Sequence, residues 1–101
     1  MDPDKPNISV ADVVMATAGR EANELFYVIG TEGVYVLLAD GKGRKLEKPK
    51  RKKCKHVKKV LRSETRVAQS LRSGDKVLNS ELRRDLAYLS RELSYQNQGG
   101  V

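Results

Sequence analysis

The sequence predicts a mostly β domain with a helical tail: a small barrel of four or five short strands over residues 8–62, then one or two helices over 63–97. Three observations predict it. Apolar, β-branched runs of six to eight residues recur between Asp12 and Asp40, parted by short Gly-containing turns. After Ser63 the apolar period changes from that of strands to that of helices. The chain has 101 residues, 39% apolar but only 5% aromatic and without Trp, so one small core of Val, Leu, Ile and Ala is what it can build.

The elements follow in order. Residues 1–7 are polar, carry two prolines and read as a loose arm. Residues 12–18, 24–31 and 34–40 are strand-like, with Thr31-Glu32-Gly33 close enough to force antiparallel pairing of the second and third. Asp40-Gly41-Lys42-Gly43 is a turn, and Pro49, which has no N–H for a ladder, breaks the chain before the next strand. His56–Leu61 supplies a last short strand. Residues 64–74 place Val67 and Leu71 four apart and stop on Gly74. Asn79-Ser80 offers an N-cap with Glu81 in the first turn, and Leu82, Leu86, Leu89 and Leu93 form one apolar stripe at spacings of four, three and four. Asn97 to Gly100 ends the helix, and residues 98–101 are expected to be disordered. The strands are apolar on both faces, whereas a small barrel has room inside for one. The leucine stripe is the expected cover for the other, and a homodimer partner is the alternative.

The charge is concentrated. The chain holds 20 Lys+Arg against 13 Asp+Glu, a net of +7. Residues 41–60 alone contain 11 of the basic groups (Lys42, Arg44, Lys45, Lys48, Lys50, Arg51, Lys52, Lys53, Lys55, Lys58 and Lys59) and one acid, Glu47, a net of +10 that leaves the rest at −3. Such a field attracts polyanions. Arg20, beside Gly19 in the first turn, and His56 join the candidate phosphate contacts. Arg20 can instead pair with Glu21 or Glu24, and Arg44 can instead hold Asp40. Alternation along residues 50–59 sends some of the lysines to a different side. Residues 44–53 are expected to be mobile without RNA. Phe26, Tyr27 and Tyr35 are either stacking groups or core, with core the stronger expectation; Tyr88 and Tyr95, flanking the leucine stripe, are expected to pack.

Several classes are disfavoured. No apolar run approaches ~20 residues, so no membrane span is expected, and no basic-then-apolar opening resembles a signal peptide. The lysine segment lacks an apolar anchor for a membrane surface. Cys54 stands alone, which fits a reducing, cytoplasmic setting; it reads as an ordinary small strand residue, with a thiol made reactive by Lys53 and Lys55 as the alternative. One His and one Cys do not make a structural zinc site. Gly41-Lys42-Gly43 lacks the frame of a phosphate loop. No nucleophile triad, metal-ligand spacing or cofactor motif appears, so no enzyme activity and no cofactor are expected.

The turn Ala18-Gly19-Arg20-Glu21-Ala22-Asn23, the following Phe26-Tyr27-Val28, the run Tyr35 to Gly41 and above all Arg44-Lys45-Leu46-Glu47-Lys48-Pro49-Lys50-Arg51-Lys52 with Lys55-His56 resemble one family. It is that of the KOW-motif domains of eukaryotic-type large-subunit ribosomal proteins and their short bacterial RNA-binding relatives. The resemblance spans Val10 to Val60, and residues 74–86 look like the tail of the short bacterial members. It departs in the turn: Glu21 stands where Asp is usual and Asn23 where a second Gly is usual. Asn tolerates the left-handed backbone best among non-glycine residues. The resemblance implies an SH3-like five-stranded barrel and binding to structured, typically ribosomal, RNA, hence a ribosome-associated protein. The alternative is a protein-interaction module of the transcription or translation machinery that docks a partner through the leucine stripe.

Overall fold

The computed structural model describes residues 7–99, with side chains through Ser94. Five antiparallel strands and two helices follow one another: β1 (Asp12–Ala16), β2 (Leu25–Glu32), β3 (Tyr35–Ala39), β4 (Lys50–Lys53), a single 3-10 turn (Cys54–His56), β5 (Val57–Arg62), α1 (Arg66–Ser73) and α2 (Asn79–Gly99). The sheet order is β4-β3-β2-β1-β5. No ladder joins β4 to β5, so the sheet is open in its hydrogen bonding.

Local chemistry sets the turns. β2 runs to Glu32, which pairs with Tyr35, so the hairpin turns on Gly33-Val34 and not on Thr31. Gly33 has φ +61°, and glycine at the first central position of a two-residue hairpin suits the twist of the strands. Asn23 has φ +74°. Its N–H donates to the Ala16 carbonyl at 2.8 Å, so the turn keeps its left-handed residue without a glycine. One-residue register shifts interrupt the β2–β3 and β1–β5 ladders, and such bulges bend and twist a sheet.

The sheet buries both faces. On one lie Val13, Tyr27 and Ala39, packed with Ala68 of α1 and Leu82, Leu86 and Leu89 of α2. On the other lie Val14, Phe26, Val28, Val36 and Leu38, with Cys54 of the 3-10 turn and Val57. The leucine stripe therefore meets the sheet of its own chain, while Leu93 remains half-buried. Tyr88 is exposed rather than packed; the side chain of Tyr95 lies outside the described residues.

The helices are seated by polar contacts. Thr65 caps α1 by accepting from the Ala68 N–H at 3.2 Å, and Gly74 closes it in the left-handed conformation. In α2 the cap differs from the expected Asn79. Leu78 precedes the first turn and its N–H donates to Glu81 Oε1 at 2.9 Å, half of a capping box. Asn79 faces the β3–β4 loop instead, accepting from the Leu46 N–H at 2.8 Å and donating to both oxygens of Glu47. Gly41 makes that approach possible: a Cβ there would fall 2.2 Å from the Asn79 carbonyl oxygen. Beneath the helices the Tyr27 hydroxyl donates to Asp85 and sits 2.8 Å from Ser63 Oγ, while Thr65 donates to the same Asp85 oxygen at 2.8 Å. α2 continues through Gly99, two residues beyond the expected end at 97. Residues 1–6 of the expected arm and 100–101 of the expected disordered end lie outside the described residues.

Candidate nucleic-acid interface

The basic segment divides among three places. The first is a cleft of about 650 Å³ lined by Gly43, Arg44, Lys45, Glu47, Lys48, Pro49, Lys50 and Arg51. Its shape comes from the β3–β4 loop. Asp40 Oδ1 accepts the backbone N–H groups of Lys42 and Arg44 at 2.9 and 2.8 Å. Asp40 thus shapes the turn through the backbone, and the Arg44 guanidinium goes elsewhere, to Glu21. The loop's far side is held by Asn79 of α2. The Asn79 amide, more than any other neighbour, holds the Glu47 carboxyl below its ordinary pKa, with the Glu47 backbone and Lys45 adding to the effect. Glu47 is therefore ionised at neutral pH and spent on the helix.

The second place is the β1–β2 turn, held by one contact from this loop and one from β4. Arg44 binds Glu21, and Lys52 Nζ donates to the Ala18 carbonyl at 2.7 Å. Arg20 stands exposed in that turn with no ion pair among the described residues, neither Glu21 nor Glu24 engaging it. The third place is the 3-10 turn and β5. Lys55 is exposed, His56 half-buried, and Lys58 and Lys59 project from the strand at the other end of the sheet order. Lys59 pairs with the buried Asp12 at 3.3 Å.

Four of the candidate contacts thus have intramolecular work: Arg44 on Glu21, Arg51 on Glu32 and Tyr35, Lys52 on Ala18, and Lys59 on Asp12. Lys42, Lys45, Lys48, Lys50, Lys53, Lys55, Lys58 and His56 have no side-chain partner among the described residues. The alternation in β4 is visible in its register. Lys50 and Lys52 pair with the buried Leu38 and Val36 and are half-covered, whereas Arg51 and Lys53 pair with Leu37 and Tyr35 and are exposed. The segment expected to be mobile has fixed partners at both ends, the β4 ladder and the Asp40 and Asn79 contacts.

Phe26 and Tyr27 are fully buried and offer no stacking face. Tyr35 differs: the Arg51 guanidinium carbon lies 3.7 Å from its ring centroid. That pair was legible only from register, since Arg51 is the diagonal neighbour of Tyr35 across the β3–β4 ladder. Arg83 is a second residue the charge run does not reveal. The backbone N of Arg83 in α2 lies against Gly41, and the Arg83 side chain is exposed.

No helix among the described residues is long and apolar enough to cross a membrane, and no cluster of three His, Cys, Asp or Glu among them fits a metal ion. No protein-family model matches the chain, and no curated protein shows significant similarity to it.

Proposed function

We propose that this chain is a non-enzymatic RNA-binding protein of the KOW type, associated with the ribosome, that holds the backbone of structured RNA along the β3–β4 cleft. The observation that carries the reading is the set of cations without a side-chain partner among the described residues around one concave surface: Lys45, Lys48 and Lys50 in the cleft, Lys42 at its loop, and Arg20 on the turn that Arg44 and Lys52 tie to it. Ammonium groups without internal partners are free to replace counterions at phosphates. A-form RNA is met mainly through its backbone and shape, which suits a cleft of point charges. The ribosomal assignment rests on the resemblance of residues 10–60 to ribosomal KOW domains.

The packing supports an SH3-like barrel as the fold. The sheet face carrying Val14, Phe26, Val36 and Leu38 is fully buried, and among the described residues only the 3-10 turn and Ile8 join it from outside the strands. A flat sheet would leave that face wet; a sheet curled on itself covers it. The 3-10 turn stitches the two ends together, with Cys54 N–H on the Val34 carbonyl at 2.8 Å and Thr17 N–H on the His56 carbonyl at 2.9 Å. The alternative, a module that docks a partner or second copy through the leucine stripe, is less favoured because Leu82, Leu86 and Leu89 are buried against the sheet.

The test is co-sedimentation with ribosomal subunits across a salt series, with a variant carrying Lys45→Glu, Lys48→Glu, Lys50→Glu and Lys53→Glu. These four positions leave the internal contacts intact. About five neutralised phosphates give a log–log salt slope of about −3 to −5. Association with one subunit at that slope, lost in the variant, is the expected result. No association at low salt, or a slope near zero, overturns the proposal.

A further inference from the structure

We infer that Arg51, seated on Tyr35, forms a stacking subsite for one unpaired nucleobase of the RNA held in the cleft; this deepens, and rests on, the RNA-binding reading above.

The arginine is fixed at two points. Its guanidinium carbon lies 3.7 Å above the Tyr35 ring, and its Nε donates to Glu32 Oε1 at 3.2 Å. At that distance the guanidinium lies over the ring, and the carboxylate gives it a second contact. A guanidinium is planar and weakly hydrated, so its second face suits another flat ring. That face is available: the Arg51 side chain is 57% exposed, and Glu32 is the one ion-pair partner it has among the described residues. The Glu32 carboxylate beside it partly cancels its charge. A phosphate gains less there than at the unpaired lysines, whereas a neutral heterocycle loses nothing.

The surroundings match a nucleotide. Arg51 lines the same cleft as Lys48 and Lys50, and Lys53 stands directly opposite Tyr35 in the ladder. A base on the guanidinium therefore has the Lys53 ammonium on the same face of the strand for a flanking phosphate. The base must be unpaired, because in a duplex both faces are covered by neighbouring bases. Arginine planes are established stacking partners for such splayed bases.

The test compares two hairpin RNAs that differ in one group: a stem with a single bulged adenosine, and the same stem with an abasic nucleotide at the bulge. Backbone shape and phosphate charge are shared, so only the base is read. The full chain is expected to bind the adenosine-bulged RNA about tenfold more tightly, the range of one base–side chain stack. Arg51→Lys keeps the charge and removes the plane. It should abolish the difference between the adenosine-bulged and abasic RNAs. Tyr35→Leu, which unseats the guanidinium, should narrow the difference in the same direction. Equal affinity of the native chain for the two RNAs, or a difference that survives Arg51→Lys, overturns the subsite while salt-dependent binding keeps the broader reading. Binding to neither RNA at low salt overturns both.

Discussion

Replacing Tyr27 by Phe removes one oxygen from beneath the helices and leaves the ring volume unchanged. The hydroxyl has one proton, which the Asp85 carboxylate takes, and Ser63 at 2.8 Å and Thr65 at 3.3 Å complete the cluster. A hydrogen bond to a charged group contributes about 1.5–3 kcal/mol, and its loss leaves Asp85 with only Thr65 among these hydroxyls. The expected cost is about 2–3 kcal/mol, or roughly 10–20 °C in Tm for a domain near this size. The same contact sets a pH dependence. Burial, then the Asp85 hydrogen bond, pushes the Tyr27 pKa from its ordinary 10.0 up to about 12. A folded pKa above the unfolded one stabilises fully below about pH 10 and ceases to do so as pH rises towards about 12. A shift of that size corresponds to on the order of 2–3 kcal/mol, to which burial contributes more than the hydrogen bond. The assay is urea unfolding followed by far-ultraviolet circular dichroism from pH 7 to 11.5. The native protein should lose its advantage over Tyr27→Phe between pH 10 and 11.5, and a double-mutant cycle with Asp85→Asn should give a coupling of about 1–3 kcal/mol. Equal urea midpoints at pH 7, or a difference between the two proteins that stays constant through pH 11.5, would refute the reasoning.

Three further outcomes follow from the packing. Gly41→Ala sets a Cβ against the Asn79 carbonyl at φ +78°, so it should destabilise by more than about 2 kcal/mol; Gly43→Ala, with open space around it, should stay within about 0.5 kcal/mol in the same denaturation experiment. Leu82→Ala empties a fully buried site between α2 and the sheet and should cost about 2–5 kcal/mol by chemical denaturation. Asn23→Gly should leave stability within about 0.5 kcal/mol, while Asn23→Val should lower it by about 1–2 kcal/mol, because a β-branched residue resists the φ of +74°; equal midpoints for the two variants would show that the turn does not hold that conformation.

The strands were legible because their evidence is local. β-branched runs, a glycine turn and a proline break each act within a few residues, and β1, β2, β3 and β5 fall within two residues of the expected bounds. Gly74 as the stop of α1 is of the same kind. The cap of α2 was not, since Asn79 has the right chemistry for an N-cap but is claimed by a loop more than thirty residues away. Ala11, fully buried at φ +71°, is likewise invisible in sequence, because alanine carries no signal for a left-handed backbone.

By itself the sequence determined the sum of the charges, the hairpins and the leucine stripe, all of which are properties of residues near one another in the chain. Only the tertiary structure decided what each charge does. Arg44 and Glu21 are 23 residues apart and Lys52 and Ala18 are 34 apart, so no local pattern tells the cations that hold the turn and loop together from those left free. The distinction arises because a long side chain takes the partner that folding brings within its reach, and in a run of eleven like charges only the surrounding strands, turns and helix determine which members find one.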